Sequence, residues 1–385
     1  MIRAALRRGH CTKVWDFGGN GLPHAITQQE SETPLTADGR ELERARKLVE
    51  LWGDDTLSYF ALRDDKCFFF ASNGRAMIAF ARYGGFALAS GDPVGAPDSL
   101  ALAVTEFVAM ARRERLRVAF LAVREENLPL YRASKLAGYY YGEEALLNCR
   151  TFSLEGSARR PLRLPVNKLG KRGYRFELVK ESACTADVLR ELEGVRVAHH
   201  GGAEVSGFTM GLDRGITGAD PSLLLAIARD PEGQVEAFLR LAPCSGSLAA
   251  YTLDLMRRRP GNVNGVNEFL IAHTAVALRE LGVGRLSLNF SIYRRFMLEH
   301  SHAGTEERFT RWLLTRFEWL LPIRPLVRWN EKFKPSWIPR CIVHEPGQLL
   351  RTILLYVIAE GFVRLPFVGR LAMPRVRAHW TEGRA

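Results

Sequence analysis

Residues Leu248–Phe290 read LAAYTLDLMRRRPGNVNGVNEFLIAHTAVALRELGVGRLSLNF. The opening run, Leu248–Leu253, is short and apolar, which predicts a strand. A turn containing proline, glycine and asparagine follows, and Val266–Leu281 then predicts a helix. Arg285–Phe290 is a second short apolar run and predicts another strand. An order of strand, turn, helix and strand is typical of an α/β protein.

The same order of elements occurs twice along the chain. In the first half the predicted strands are Cys67–Ala71, Ala76–Arg82, Phe86–Ser90, Val118–Val123 and Tyr139–Leu147. The helices between the last three of these strands are Asp98–Arg113 and Pro129–Ala137. In the second half the corresponding strands are Leu223–Ala228, Val235–Leu241, Leu248–Leu253, Arg285–Phe290 and Pro339–Val343. Their helices are Val266–Leu281 and Glu306–Leu320.

This repeat predicts two copies of one folding unit. Asn73-Gly74 and Gly84-Gly85 favour tight hairpins between the first three strands. Three strands, a helix, a strand, a helix and a strand form the core order of the GNAT (N-acetyltransferase-like) fold. We therefore predict an α/β protein made of tandem GNAT-like domains, with mixed sheets flanked by helices. The division we expect is a polar N-terminal arm at 1–40, a first domain at 41–156, a basic bridging segment at 157–180, a second domain with the catalytic cleft at 181–363, and a basic tail at 364–385.

The charge of the chain is unevenly distributed. The 385 residues carry a net charge of +12 at pH 7. Residues 157–180 contain eight basic side chains and one acidic one, and residues 308–340 contain eight and two. Two dense basic segments predict a polyanionic partner, either a nucleic acid or an anionic membrane surface.

Composition excludes several classes of protein. Hydrophobic residues make up 47% of the chain and charged residues 25%, which excludes disordered and collagen-like proteins. The six cysteines form no CxxC pair, and no histidine has partner ligands at zinc spacing, so we expect reduced thiols and no metal. The most apolar run, Leu349–Val368, is interrupted by charges and falls short of the ~18 apolar residues that span a membrane. It is either a core helix or an amphipathic helix that docks on a membrane.

An aspartate follows the third strand of each half, and in the GNAT order this strand borders the cleft for the acyl donor. Asp92 precedes Pro93, which is typical of a turn or cap aspartate. Asp254 ends an apolar strand shortly before the three arginines Arg257–Arg259. It is therefore either half of a structural ion pair or a carboxylate of a site.

The turns before the two long helices disfavour coenzyme A as the donor. Acetyltransferases hold the pyrophosphate on a turn of the form Gln/Arg-x-x-Gly-x-Gly/Ala. The turn Arg259–Gly265 has glycines at a different spacing, and Gly95–Asp98 contains a proline, which removes a donor. No Gly-x-Ser-x-Gly elbow and no P-loop are present. We therefore expect a donor that is already activated, and no cofactor.

Several motifs, spread over residues 50–363, occur in the order of one known family. They are Gly91-Asp92-Pro93-Val94-Gly95, Gly142-Glu143-Glu144-Ala145, Phe152-Ser153-Leu154-Glu155-Gly156, Gly207-Phe208-Thr209-Met210-Gly211, Leu253-Asp254-Leu255-Met256-Arg257-Arg258, Asn264-Gly265, Asn267-Glu268-Phe269-Leu270, Ser287-Leu288-Asn289-Phe290, Asn330-x-Lys332-Phe333-x-Pro335-x-Trp337-x-Pro339-Arg340 and Ala359-Glu360-Gly361-Phe362. With these motifs the sequence resembles the cytosolic catalytic domain of the phosphatidylglycerol lysyltransferases, the multiple peptide resistance factor family. The usual Arg-Tyr-Leu ending of one motif reads Arg340-Cys341-Ile342 here.

The resemblance implies an aminoacyltransferase of lipid metabolism, linked to antimicrobial peptide resistance. It would move an amino acid, lysine as the first choice, from aminoacyl-tRNA to the hydroxyl of phosphatidylglycerol or a related lipid. The alternatives are an aminoacyl-tRNA-dependent transferase acting on peptidoglycan precursors, like the Fem family, and an acetyl-CoA-dependent acetyltransferase. A non-catalytic module that binds RNA or a membrane is a third alternative.

The resemblance also selects candidate residues. The catalytic candidates are Asp254, Arg257, Glu268 and Asn289. Asp254 would act as a base or pair with the donor ammonium, and Arg257 would bind lipid phosphate or hold Asp254. The substrate-binding candidates are Asp92, Met256, Asn267, Lys332, Lys334 and Arg340. The candidates for contact with tRNA or membrane headgroups are Arg159, Arg160, Lys168, Lys171 and Arg172.

Only the polar residues 1–40 precede the first predicted domain, whereas family members usually carry a multi-span membrane domain there. We therefore expect a cytoplasmic protein that reaches the inner face of the cell membrane peripherally. A separate membrane protein could translocate its product.

Overall fold

The computed structural model describes residues 39–199, 207–245, 249–261, 263–292 and 323–361. The strands are β1 Cys67–Phe70, β2 Ala76–Tyr83, β3 Phe86–Ser90, β4 Val94–Gly95, β5 Arg117–Arg124, β6 Ala137–Asn148, β7 Arg175–Lys180, β8 Leu224–Arg229, β9 Val235–Cys244, β10 Ala250–Arg258, β11 Arg285–Ile292 and β12 Ser336–His344. The helices are α1 Gly39–Trp52, α2 Leu100–Arg113, α3 Leu128–Arg132, α4 Arg160–Lys171, α5 Ala186–His199, α6 Val266–Glu280, α7 Ile323–Glu331 and α8 Leu349–Ala359.

The strands form one mixed sheet. Its order is β1-β2-β3-β5-β12-β6-β11-β10-β9-β8-β7, and the short β4 pairs with β2. The pairs β3/β5 and β10/β11 are parallel, and the other pairs along the sheet are antiparallel. Each half therefore has a meander followed by one parallel crossover, which confirms the predicted tandem GNAT-like α/β fold.

The two halves exchange their last strands. β6 belongs to the first half by sequence but pairs with β11 of the second, and β12 of the second half pairs with β5 of the first. β6 and β12 also pair with each other, from Ser336 opposite Leu146 to His344 opposite Ala137. This antiparallel pair joins the halves into a continuous sheet. The ranges 41–156 and 181–363 stay a prediction as folding units.

Helices cover both faces of the sheet. In the first half, α1 and α8 pack on one face with Leu88, whereas α2 packs on the other with Ala87 and Ala89. In the second half, α4 and α6 cover one face and α5 the other. The alternation along β3 is the period of two that places successive side chains on opposite faces of a strand.

Some element boundaries differ from the sequence predictions. The helix predicted at Pro129–Ala137 ends at Arg132, because Lys135 adopts a left-handed φ of 61° and β6 begins at Ala137. The bridging segment 157–180 is built into the second half as α4 and as β7, one of the two edge strands of the sheet. The predicted arm, basic tail and helix Glu306–Leu320 lie outside the described residues, except for the start of α1.

Helix α8 covers the first part of the apolar run and packs in the core, and docking on a membrane stays a prediction. Thr352 is buried, and Tyr356 and Ala359 are buried in the core cluster that includes Leu88 of the first half. Leu350 and Leu354, one turn apart, are 73% and 59% exposed. The helix therefore packs in the core and also presents a small apolar face.

Candidate active site

Strands β10 and β11 separate halfway along their length. They pair in parallel only from Ala250 opposite Arg285 to Thr252 opposite Ser287. Beyond this point the register of β10 with β9 shifts between Leu253 and Leu255, and that of β11 with β6 shifts after Ser287. The two bulges place Asp254 and Asn289 where the parallel pairing stops.

The Asn289 side chain bridges the separated strands. The residue has a left-handed φ of 69°, which asparagine tolerates better than most residues. Its amide Nδ2 donates to the Leu253 carbonyl of β10 at 3.1 Å and to the Met210 carbonyl at 2.9 Å. The Asn289 Oδ1 atom is buried and has no partner among the described residues. It is an acceptor that a substrate donor could use.

Asp254 is half of a buried ion pair, but its partner is Arg240 of β9 rather than one of the following arginines. One carboxylate oxygen contacts Arg240 Nε, and the other accepts the Leu212 N–H at 2.7 Å. Both side chains of the pair are completely buried. Arg240 also donates to the carbonyls of Arg214 and Gly215, each at 2.9 Å. Both oxygens of Asp254 are thus engaged, and the geometry gives the residue a role in holding the fold.

The motif Gly207–Gly211 belongs to a connecting segment, residues 207–213, that crosses the junction between the halves. Its Met210 carbonyl meets Asn289 and its Leu212 N–H meets Asp254. From the first half, Arg63 donates to the Gly207 carbonyl and to Asp213. The 207–213 segment therefore links both candidate residues of the second half to the first half.

A second polar cluster lies at the start of α6. The Glu268 Oε1 atom accepts the Trp329 Nε1–H at 3.0 Å and the Lys332 Nζ–H at 2.9 Å. Glu268 is 8% exposed, and its position in the first helical turn suits a carboxylate. Lys332 remains partly exposed, at 36%. Two residues that the sequence assigned separately, Glu268 and Lys332, therefore form one pair that solvent can reach.

Two of the remaining candidates on β10 and α6, Arg257 and Asn267, have a buried polar atom with no hydrogen-bond partner among the described residues. Arg257 Nη1 donates to the Met256 carbonyl at 2.9 Å, whereas its Nε is buried without a partner among the described residues. Burial lowers the pKa of Arg257 below its usual value. Asn267 Oδ1 is likewise buried and unpartnered within the described ranges. Met256 is partly buried and packs against the core of the second half.

Asp92 lies away from this site and makes the contacts of a structural aspartate. Its carboxylate accepts the Tyr131 hydroxyl at 2.7 Å and the Arg124 N–H at 2.9 Å. Burial, followed by the nearby Asp55, raises the pKa of Asp92. These bonds tie the end of β3 to β5 and α3, as expected for the turn or cap alternative.

Arg340, which we predicted to bind substrate through its phosphate, lies at the centre of the sheet. It is 2% exposed and donates to the Asp55 carboxylate at 2.6 and 3.0 Å, to Thr56 Oγ1 at 3.0 Å and to Glu144 at 3.1 Å. All three guanidinium nitrogens are engaged inside the protein. A phosphate contact at Arg340 would require the loss of these bonds.

The other basic candidates lie nearer the surface. Lys334 is exposed, with a left-handed φ of 49°. Arg159 is partly buried and donates to the Lys332 carbonyl at 3.3 Å. The remaining four candidates are exposed on or directly after α4: Arg160, Lys168, Lys171 and Arg172.

Sequence reasoning missed two buried cations: Arg240, which pairs with Asp254, and Lys66, which donates to the Phe208 carbonyl at 2.7 Å. Arg240 interrupts the apolar strand β9 between Leu239 and Leu241, and a single charge inside such a run signals a buried partner. Lys66 sits in a polar turn and gives no comparable signal.

The described residues contain neither a metal-binding cluster nor a membrane-spanning helix. No group of three or more His, Cys, Asp or Glu side chains there could hold a metal ion. None of the helices within these ranges is long and apolar enough to cross a membrane.

Comparison with known proteins identifies relatives. The chain is 34% identical over 356 residues to the lysylphosphatidylglycerol biosynthesis bifunctional protein LysX of Mycobacterium ulcerans (strain Agy99), covering 89% of this chain and 31% of that protein. Identity to LysX of Rhodococcus jostii (strain RHA1) is 32% over 361 residues, covering 92% of this chain and 32% of that protein. The chain thus spans about a third of the length of these relatives.

A solved structure supports the fold independently. L-PGS from Bacillus licheniformis superposes with a TM-score of 0.71 at 23% identity, covering 85% of this chain and 96% of that one. The family model "Phosphatidylglycerol lysyltransferase, C-terminal" matches residues 46–344, which include both halves of the sheet and the site between β10 and β11. This match confirms the resemblance read from the motifs and shows that the chain belongs to the family of phosphatidylglycerol lysyltransferase C-terminal domains.

Proposed function

We propose that this chain is an aminoacyltransferase that moves a lysyl group from lysyl-tRNA to a glycerol hydroxyl of phosphatidylglycerol. The observation that carries the proposal is the family match across residues 46–344, which contain the candidate site. The LysX relatives are named for lysylphosphatidylglycerol biosynthesis. The chain matches about a third of each, so activity, donor and acceptor are proposals for this chain.

The reaction is a transesterification. The lipid hydroxyl oxygen attacks the carbonyl carbon of the aminoacyl ester, a new ester bond forms, and the bond to the terminal ribose oxygen of the tRNA breaks. The proton of the lipid hydroxyl ends on that ribose oxygen. The aminoacyl ester is already activated, so the step needs no cofactor.

Glu268 is the carboxylate best placed for the chemistry. Trp329 and Lys332 fix its Oε1 atom, and it lies at the start of α6 beside a partly exposed cation. A carboxylate in this position can accept the hydroxyl proton or bind the ammonium of the lysyl group. Arg240 and the Leu212 N–H occupy both carboxylate oxygens of Asp254, so this residue supports the structure of the site.

Two contacts argue against coenzyme A as the donor. The Asn289 amide donates a hydrogen bond to the Leu253 carbonyl in the gap between β10 and β11. An extended coenzyme A bound in this gap would need such backbone groups as its own partners. Gly265, directly before α6, lies against Pro165 of α4. The turn that would receive a pyrophosphate is therefore backed by another helix.

The exposed side of α4 supports RNA as the polyanionic partner. Three apolar residues of α4 are buried, and its solvent-facing side carries the basic side chains together with one exposed leucine, Leu164. No acidic residue occurs in the helix, and the described residues offer no ion pair to Lys168 or Lys171. A basic face with a single exposed leucine suits phosphates of an acceptor stem better than insertion into lipid.

The exposed face of α8 supports contact with the lipid. Leu350 and Leu354 are exposed on successive turns beside the exposed Arg351. Apolar side chains next to a cation suit the surface of an anionic membrane. We propose peripheral association through this face, and translocation of the product by a separate membrane protein.

A lipid assay tests the proposal. The full chain is mixed with phosphatidylglycerol vesicles, tRNA, labelled lysine and lysyl-tRNA synthetase, and the assay is repeated with alanine and arginine and their synthetases. Label should enter the lipid phase, and RNase or vesicles without phosphatidylglycerol should abolish it. Absence of label with lysine contradicts the proposal, and label with alanine or arginine alone would name a different amino acid. A product stable to mild base would indicate an amine acceptor instead.

A further inference from the structure

Lys66 and Glu360 are buried charged residues that the proposed reaction does not use. Each is 3% exposed. Lys66 directly precedes β1 of the first half, and Glu360 directly follows α8. Although they come from distant parts of the chain, both side chains reach the 207–213 segment.

The two charges hold consecutive residues of this segment. Lys66 Nζ donates to the Phe208 carbonyl at 2.7 Å and lies 3.6 Å from the centroid of the Phe208 ring. Glu360 Oε1 accepts the Thr209 N–H at 2.9 Å and also the Thr209 hydroxyl. The peptide bond between Phe208 and Thr209 is thus held by a cation at its carbonyl and by an anion at its N–H. Together the two contacts define the position and the orientation of this peptide bond.

The same segment reaches the candidate site within three residues. Met210 follows Thr209 and its carbonyl accepts from Asn289, and the Leu212 N–H then donates to Asp254. Adjacent Cα atoms are only about 3.8 Å apart, so a shift of Thr209 must move the Met210 carbonyl. The contacts of Lys66 and Glu360 are therefore coupled mechanically to Asn289 and Asp254.

Stability alone does not account for these two charges. Removing a charge from water costs several kcal/mol, and well-packed apolar residues often replace buried ion pairs without loss of stability. Burial lowers the pKa of Lys66 to about 7, with Asp65, Arg63 and Glu360 as its charged neighbours. Burial also raises the pKa of Glu360. What the charges supply is a fixed location for the segment.

We propose that Lys66 and Glu360 are positioning residues, which hold the 207–213 segment where its Met210 carbonyl and Leu212 N–H support Asn289 and Asp254. The first half of the chain then acts on the candidate site of the second half through this segment. The activity part of this inference rests on the proposed lysyl transfer.

The first test replaces Lys66 by methionine, which keeps the length of the side chain and removes its charge. The control is Lys47→Met, because Lys47 is an exposed lysine of α1. In Lys66→Met, the Leu212 amide should exchange hydrogen for deuterium faster, while the amides of β2 and β9 keep their protection. Since small misplacements at a site can cost ~10²-fold in rate, we expect kcat for transfer from lysyl-tRNA to phosphatidylglycerol vesicles to fall by roughly that factor, with both KM values unchanged.

The second test compares Glu360→Leu with Glu360→Gln. The glutamine carbonyl can still accept from Thr209, so the glutamine variant should lose less activity and less protection than the leucine variant. Faster exchange throughout the sheet would mean a purely structural role and would overturn the inference, as would unchanged exchange at 207–213 or unchanged kcat in Lys66→Met. If the wild-type chain transfers no lysine, the proposed function fails, and the exchange comparison still decides whether the two residues position the segment.

Discussion

Pro165, inside α4, lies directly against Gly265, the residue before α6. A Cβ atom at Gly265 would come closer to the Pro165 Cβ than two carbon atoms approach in proteins. Gly265 also has a left-handed φ of 100°, which only glycine adopts freely. The glycine therefore serves two purposes, because it allows the turn before α6 and the close approach of α4.

Replacement of Gly265 by alanine should destabilise the protein by more than the backbone strain alone. Gly261→Ala is the matched control, since Gly261 has a φ of 74° with no atom within 4 Å of its Cβ position. The left-handed backbone should lower the stability of both variants by about 1–2 kcal/mol. Only Gly265→Ala adds the steric overlap with Pro165. Thermal unfolding should give the lower Tm for Gly265→Ala; equal Tm values would contradict the contact.

Loss of the Asp254 carboxylate should lower the free energy of unfolding of the protein. A loss of activity in such a variant would therefore reflect reduced stability. Asp254→Asn removes the closer ion partner of the fully buried Arg240 and leaves it only the longer contact with Glu181, at 3.9 Å, among the described residues. Breaking a buried pair costs about 3–5 kcal/mol. The double variant Arg240→Met, Asp254→Leu should recover much of this loss. Urea unfolding measures both free energies. An Asp254→Asn variant as stable as the wild type would show that the pair does not support the fold.

Glu268→Gln should lower activity with little effect on stability. The glutamine carbonyl can still accept from Trp329, but the negative charge is lost, and loss of a general base or an ammonium contact typically costs ~10²–10⁴-fold in rate. Glu43→Gln is the control, because Glu43 also pairs with a lysine, Lys47 at 3.7 Å, but on the exposed side of α1. Steady-state transfer to phosphatidylglycerol vesicles is the measurement, and normal activity in Glu268→Gln would remove Glu268 from the mechanism.

Reversal of charge on α4 should weaken binding of tRNA and reduce its salt dependence. The variant is Lys168→Glu, Lys171→Glu, and the control is Arg112→Glu, Arg113→Glu at the exposed end of α2. Each phosphate contact that is lost should reduce the slope of log K against log salt by somewhat less than 1. Filter binding with uncharged tRNA measures the slope. If only the binding of phosphatidylglycerol vesicles changes, α4 contacts the membrane rather than RNA.

The buried Lys66 predicts a specific pH dependence of stability. Its pKa is about 7 in the folded protein and near 10.5 in the unfolded chain. Between these values the unfolded chain binds a proton that the folded protein lacks. The free energy of unfolding should therefore rise with pH in this window, by at most ~1.4 kcal/mol per pH unit. Below it both states are protonated and the slope disappears.

Urea unfolding of wild type and Lys66→Met across this window measures the effect. The stability of the wild type relative to the variant should increase with pH, whereas Lys47→Met should run parallel to the wild type. A difference between wild type and Lys66→Met that is independent of pH would show that Lys66 keeps its usual pKa in the folded protein.

The elements of the fold were predictable because their signals are local. Strands alternate with helices whose lengths and turns are set by residues within a few positions, such as Asn73-Gly74 before β2 and Gly265 before α6. The repeated order of these elements was sufficient to predict two GNAT-like units, and the motifs in register were sufficient to predict the family. For Asp254, one of the two alternatives from the sequence was a structural ion pair, and the structure shows such a pair with Arg240.

The partners of the charged residues could not be predicted, because they are distant in sequence. Asp254 pairs with Arg240, 14 positions away, and Arg340 with Asp55, 285 positions away. The exchange of β6 and β12 between the halves could not be predicted from the sequence either. Each of the two strands could form the same backbone hydrogen bonds in either half. Charge and motif marked Asp254 and Arg340 as candidates, but burial of their charges demands internal partners. Only the packed sheet decides which charges are enclosed, and it leaves Lys332, the partner of Glu268, partly exposed to solvent.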